Sequence, residues 1–540
     1  MRQPILIPAR RRTGVRADLV CAGAAALLVV AAFAVPRIRG EQWRRHVYAA
    51  AAPIFGHWQP HIGWGTGPAI AVAILVIVLG PVAARRLPWR RLLAATWATA
   101  VTWAFALAMV DGWQRGFAGR LTSGHEYLHE VGGVGDIGLM LRGFAGRILD
   151  FQPDSWTTHV SGHPPGALLV FVLLDRVGLG GGAWAAVVCV LVGCSAAVAV
   201  PVALDALGAP ERARAVTPFL ALAPAAIWIA VSADALFAGV TAWAVALLAI
   251  ATRQRPGWPA VAVMSGLLFG FGLYLSYGLV LMAIPAAAVL LVRGFRPAVP
   301  ALLGVAVVVA AFTAGGFWWL EGYHLVVQRY YQGIATERPY SYWVWGNLAA
   351  TVCAVGLATA AALYRSGCAL LPDRVAPDRE TSETKGLGAY GGSGRDTRDG
   401  GGPRSGEVGN PAALRAGARG TRALPRTDAC RADAPGDTAR STGLVDIVRA
   451  LTRSAKVRVR LDHWRSGADP AAVLAMAGLA AILVADLSGL SKAETERIWL
   501  PFTVWLLAAT AFLPLRHVRV WLAVQALAAL LLNHLLLTNW

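Results

Sequence analysis

The chain has 540 residues, 56% of them hydrophobic, with a mean hydropathy of +0.54 and a formal charge of +19. Repeated Ala, Leu and Val runs of about 17 to 22 residues exclude a water-soluble globular protein and mark a polytopic membrane protein of all-α class. The charge does not point to nucleic acid: the arginines cluster in short connections between apolar runs, where they orient the chain and meet anionic lipid headgroups.

Arg10-Arg11-Arg12 precede a first span at 17–35, and no convincing small-residue cleavage site follows, so this segment reads as a retained span and not a secretory signal. Residues 36–65 carry Arg37, Arg39, Arg44 and Arg45 on what should be the external side, and an interfacial helix with Trp43, Trp58 and Trp64 only partly accommodates them. Further spans are expected at 66–84, 92–110, 182–204, 215–231, 235–251, 258–276, 278–293, 297–317, 346–365, 470–487, 499–515 and 519–537, giving about 13 in all. The arginine-rich connections at 85–91, 253–255, 293–296 and 516–519 should be cytoplasmic, as should the N-terminus. Glu211-Arg212-Ala213-Arg214 reaches the same side only if 165–179, which opens Pro-Pro-Gly and carries Asp175 and Arg176, is a re-entrant or partial helix.

Residues 367–469 change character to Gly, Arg, Asp, Ser and Pro, which predicts a disordered basic cytoplasmic linker between a membrane domain at 1–366 and C-terminal transmembrane helices at 470–540. Its stretch Leu444 to Arg460 reads equally as an amphipathic helix on the inner leaflet or as solvated linker. Cys21, Cys189, Cys194 and Cys353 fall in spans, and Cys368 and Cys430 in the cytoplasmic segment, so no disulfide framework is implied.

The chemistry is expected in the external loop 111–164, which opens Asp111-Gly112-Trp113 and closes Ser161-Gly162-His163-Pro164-Pro165-Gly166. Asp111, at the mouth of a span, can remove a proton from an acceptor hydroxyl or hold a divalent cation; it can equally mark the membrane interface. His159 and His163 face the same surface, where His163 can donate to a phosphate, orient a carboxylate, or simply cap the loop on a backbone carbonyl. Asp234 opens a span either as a buried functional acid or as an N-cap. The loop Tyr323 to Trp343, with Tyr331 and Arg338, interleaves aromatic rings that stack on sugars with guanidiniums that fork onto phosphate, though an aromatic belt has the same composition. Arg497 precedes an aromatic and apolar wall suited to a lipid phosphate and its chain. Two rivals stand beside these. His125-Glu126-Tyr127-Leu128-His129 matches the zinc pentad H-E-x-x-H, and a transporter or flippase needs no catalysis at all, although no G-x-x-x-x-G-K-[ST] loop supports ATP-driven pumping.

An early external loop with an acidic residue, a His163-Pro164-Pro165-Gly166 entry to the next segment and the later Pro224 to Asp234 stretch together resemble the GT-C superfamily of polytopic membrane glycosyltransferases, over roughly residues 92–350. The resemblance implies a bacterial, actinobacterial type of enzyme in the cell membrane. It would transfer a sugar, with inversion, from a polyprenyl-phosphate donor to a cell-envelope glycan or glycolipid on the external face. By motif position it gives the catalytic acid as Asp111, with Asp136 or Glu126 as a second acid. Binding roles then fall to His159, His163, Asp234, Tyr331, Arg338 and Arg497, with Mg or Mn as an optional cofactor.

Overall fold

The computed structural model describes residues 13–370, 464–465 and 467–539; most of the expected linker, with the 444–460 stretch and Cys430, lies outside them. The described residues before and after that segment belong to one compact unit, so the C-terminal helices join the membrane domain and do not form a body of their own.

In chain order the elements are α1 (Thr13–Ile38), α2 (Glu41–Val47), β1 (Gly56–Trp58), α3 (Thr66–Arg86), α4 (Trp89–Ala108), α5 (Leu128–Val131), α6 (Ile137–Gly143), α7 (Thr158–Ser161), α8 (Pro165–Arg176), α9 (Gly182–Ala206), α10 (Pro210–Ala221), α11 (Ala226–Ile229) and α12 (Ala233–Ala251). There follow α13 (Trp258–Leu275), α14 (Ala283–Arg293), α15 (Ala298–Ala314), α16 (Trp319–Gln332), α17 (Tyr340–Val355), α18 (Leu357–Cys368), α19 (Pro470–Leu487), α20 (Thr495–Ile498), α21 (Leu500–Leu506), α22 (Val518–Leu535) and β2 (Leu536–Thr538). Among the described residues eight helices are long and apolar enough to cross a bilayer, or ten if two bent pairs each count as one span.

This is fewer than the roughly 13 expected, and the reason is local. The apolar run 215–231 is cut after α10, where Pro224 cannot continue a helix. The run 278–293 opens with six residues of 3-10 helix, Tyr277–Met282, and 499–515 splits into α21 and a 3-10 segment, Leu507–Phe512, before Pro514. At 346–365, α17 and α18 meet at 103°, around Gly356 at φ +80°, a conformation open to glycine without penalty. Hydropathy registers the apolar composition of these runs but not the breaks within them.

α12 is apolar on all sides and correspondingly central: it packs on α9, α13 and α21, with most of its length buried. Where α13 meets α15, a Cβ at Gly266 would collide with the Ala301 carbonyl and one at Gly304 with the Val263 carbonyl, so small residues set this helix spacing. Gly266→Val is therefore expected to destabilise the protein by about 1 to 3 kcal/mol. Thermal unfolding in detergent measures this, and an unchanged midpoint would mean that the helices are not held at contact distance.

Arg214 donates to the carbonyls of Ala84 (2.9 Å) and Leu87 (3.0 Å), Arg212 pairs with Asp469 (2.9 Å), Arg253 with Asp205 (2.9 Å) and Arg365 with Asp18 (2.6 Å). These tie the arginine-rich connections together at one end of the helices, and Asp234 and the 111–164 loop stand at the opposite ends of α12, α4 and α9. The Glu211–Arg214 tetrad shares the arginine-rich end, and α8, before it, is too short to cross as a single helix. Its 12 residues extend only about 18 Å against a hydrocarbon core of about 30 Å. It also starts at His163-Pro164 and finishes where Arg176 donates to the Gly135 carbonyl (2.6 Å), with both ends on the same loop. The basic residues at and beyond the end of α1 are absorbed locally: Arg37, in its last turn, donates to the Phe33 and Ala50 carbonyls, and Arg44 pairs with Glu41 (2.5 Å).

One departure from an all-α chain is a two-stranded antiparallel ribbon, β1 with β2, in which Gly56 faces Thr538 and Trp58 faces Leu536.

Candidate functional site

Asp234 lies in the first turn of α12, and Ser232 caps that helix by accepting from the Ala235 amide (3.3 Å). The Asp234 carboxylate is thus left for Arg497, whose Nη1 donates to Oδ2 at 2.8 Å. Arg497 sits on α20, and just before it Ala493 and Glu494 adopt φ +73° and +63°, an uncommon left-handed pair for residues with a Cβ. That turn brings Glu494 Oε2 to 2.9 Å from Arg497 Nη2 and Oε1 to 3.5 Å from Arg338 Nη1. Arg338 also donates to the Lys492 carbonyl (2.8 Å) and lies 5.4 Å from the Phe55 ring centre.

On the other side, Glu126 Oε1 is 2.7 Å from His159 Nδ1, and His163 Nδ1 is 2.7 Å from the His159 carbonyl. The Tyr127 ring packs against both imidazoles and against Phe171. Glu126 and Asp234 are each 3% exposed, and Arg338 and Arg497 are each 5% exposed. Ion pairs this deep lose hydration and depend on mutual compensation. Burial opposes the Arg497 charge, but Asp234, Glu494 and Glu126 outweigh it and push its pKa above the ordinary value. Burial likewise favours neutral carboxyls at Glu126 and Glu494; His159 and Arg497 at the first, and Arg497 and Arg338 at the second, overcome it and hold both below the usual carboxylate range.

Six of the expected residues therefore converge: Glu126, His159, His163, Asp234, Arg338 and Arg497. Tyr331 stands at the rim, half-exposed, with the Lys492 ammonium 5.8 Å from its ring centre. Asp136 is exposed and caps α6 by accepting from the Leu139 amide at 2.7 Å. Asp111 belongs to a separate buried group, with Oδ1 2.7 Å from His61 Nε2 and Oδ2 2.9 Å from Arg120 Nη2, and Arg120 reaches on to the Thr538 carbonyl at 3.2 Å. The expectation of a single site containing Asp111 and Asp136 is corrected to this extent: neither shares a contact with the cluster.

Glu494 is the member that sequence reading passed over. Its one signal in the sequence is the i,i+3 spacing to Arg497.

The H-E-x-x-H pentad lacks the helix it would need. Only Leu128 onward is helical, Glu126 turns to His159, His125 sits 3.4 Å from the Thr158 hydroxyl, and His129 lines a cleft. Among the described residues no three His, Cys, Asp or Glu side chains are grouped to hold a metal ion. The cleft, about 440 Å³, is lined by Thr122, Leu128, His129, Phe171, Asp175 and Ala185, and the Phe171 ring also packs against Tyr127.

Beside the cluster, Glu496 is fully buried and accepts from the Phe55 amide at 2.9 Å, and burial pushes its pKa up to about 7. A carboxyl that titrates near 7 in the folded chain and near 4.5 in the unfolded one costs stability as pH rises between those values, roughly 3 kcal/mol by pH 8. Glu496→Gln, which keeps the acceptor, is expected to raise the unfolding midpoint at pH 8 and leave it unchanged at pH 4; equal midpoints at pH 8 would show that Glu496 ionises without penalty.

Comparison with family models, curated proteins and solved structures found no match for this chain.

Proposed function

We propose that this chain is a GT-C-like membrane glycosyltransferase that moves a sugar from a polyprenyl-phosphate carrier to a cell-envelope acceptor. The observation that carries this reading is the cluster at the ends of the spans, in which two guanidiniums, three carboxylates and two imidazoles are drawn together from five separate stretches of chain. Ionisable groups buried in a membrane protein are expensive, and so many in one place point to polar chemistry. Arg338 and Arg497 have the forked donors that grip a phosphate, and Glu494 bridges them at fixed spacing.

The cluster lies opposite the arginine-rich connections, which the positive-inside rule assigns to the cytoplasm, so transfer takes place on the external face. There the aromatic rim around Tyr330 and Tyr331 offers ring faces to a sugar. Arg338 and Arg497 would stabilise the charge that collects on the departing phosphate, with no step assigned to a metal ion.

The test is reconstitution of the full chain in vesicles with labelled polyprenyl-phosphate hexoses and pentoses and a soluble glycoside acceptor. A new glycosidic bond is the expected result. Passage of the lipid-linked sugar between leaflets with no new bond would instead make the protein a flippase, the reading to which a buried charge network is also suited.

A further inference from the structure

The transferase reading requires a group that removes the proton from the acceptor hydroxyl, and we propose that this group is the Nε2 atom of His163, acting as a neutral base. The argument begins with the opposite ring nitrogen. His163 Nδ1 lies 2.7 Å from the His159 carbonyl oxygen, which can only accept, so Nδ1 carries a hydrogen. In the neutral ring the lone pair is then on Nε2.

That atom is open. His163 is partly exposed, and among the described residues Nε2 neither has a hydrogen-bond partner nor is sealed from solvent. Its direction is fixed by Tyr127 on one side (ring centres 5.8 Å apart), by Phe237 of α12 on the other (5.5 Å), and by Pro164-Pro165, which hold the chain entering α8.

The surroundings suit a base. The ionisable groups facing the ring are His159 on α7, Glu126 and Tyr127 in the loop before α5, Asp234 on α12 and Arg497 on α20. Burial disfavours the imidazolium, and His159 and Arg497 oppose a further positive charge, so the pKa falls below its ordinary value although Asp234 pulls the other way. Asp234 is placed to support the cation once it forms. The carboxylates are by contrast already engaged: Asp234 is paired with Arg497, and Glu126 and Glu494 are held below the usual carboxylate range by His159 and Arg497 and by Arg497 and Arg338 respectively, which lowers their basicity.

In the proposed step the acceptor oxygen forms a bond to the anomeric carbon, and the bond from that carbon to the phosphate oxygen breaks. The electron pair leaves on the polyprenyl phosphate, and the hydroxyl proton passes to Nε2, from which it returns to solvent.

The experiment uses the vesicle assay with full-length His163→Ala and His163→Gln, measured from pH 5 to 9 with and without added imidazole. Wild-type kcat should rise with pH along a single acidic limb. Both variants should lose that limb and fall about 100- to 10,000-fold in kcat with little change in KM, and imidazole should restore part of the His163→Ala rate. A variant that keeps the limb, or a folded one that falls without rescue by imidazole, overturns the assignment while leaving the transferase reading intact. Absence of transfer by the wild type overturns both. Independently of turnover, nitrogen NMR of labelled histidines, with His163→Gln to assign the signal, should show the Nδ1-protonated neutral ring at pH 7.5; an imidazolium or the Nε2-protonated form would refute the proposal.

Discussion

Arg497→Ala should destabilise the purified protein by about 3 to 5 kcal/mol, because it strands the buried Asp234 carboxylate without its cation and leaves the mostly buried Glu494 with only the longer contact to Arg338. Arg497→Lys should lose less, since an ammonium restores charge but not the two-pronged contact that now meets Oδ2 of Asp234 at 2.8 Å and Oε2 of Glu494 at 2.9 Å. Asp234→Asn in the Arg497→Ala background should recover part of the deficit, as the stranded Asp234 charge is then removed while Glu494 keeps its contact with Arg338. Thermal unfolding of the four proteins in one detergent at pH 7.5 measures the cycle. A single Arg497→Ala effect below about 1 kcal/mol would place the guanidinium in effective contact with water and remove the basis for a buried cluster.

The second large effect is expected at Asp111. Its side chain is 7% exposed and that of Arg120 is 8% exposed, and burial draws the Arg120 pKa down to about 10 even with Asp111 beside it. Asp111→Asn leaves that guanidinium without its counter-charge, and a loss of about 3 to 5 kcal/mol is expected, with sugar transfer per folded molecule preserved. Unfolding midpoints combined with turnover normalised to the folded fraction decide the matter. A stable but inactive Asp111→Asn protein would return the carboxylate to the reaction and displace His163 as the base.

The parts of this molecule that are legible in its sequence are those that depend on composition over a window. Apolar runs such as 182–206 and 233–251 are helices over their whole length, the first of them through Pro201, and Asp234 and Arg497 are conspicuous because each stands at the edge of an apolar run. What a window cannot register is a single-residue event. Pro224 and Gly356 break runs that hydropathy reads as continuous, and the left-handed turn at Ala493-Glu494 directs a carboxylate inward that would otherwise count as one more charge in a polar loop. Pairing across distance is equally hidden: Asp111 meets His61 from 50 residues away, and no periodicity encodes that meeting. The choice between the two nitrogens of His163 depends on one carbonyl four residues back, which the bare sequence His159-Val160-Ser161-Gly162-His163 permits but does not dictate.

The pairing of Asp234 with Arg497 also sets an order of events during synthesis. The two residues are 263 positions apart, so at about 5 to 20 residues per second the ribosome delivers the arginine roughly 15 to 50 s after the aspartate. Throughout that interval α12 must sit in the translocon or the young bilayer with its carboxyl uncompensated, either protonated or kept wet. A chain released before α20 is made would lack the guanidinium that compensates this acid in the folded protein.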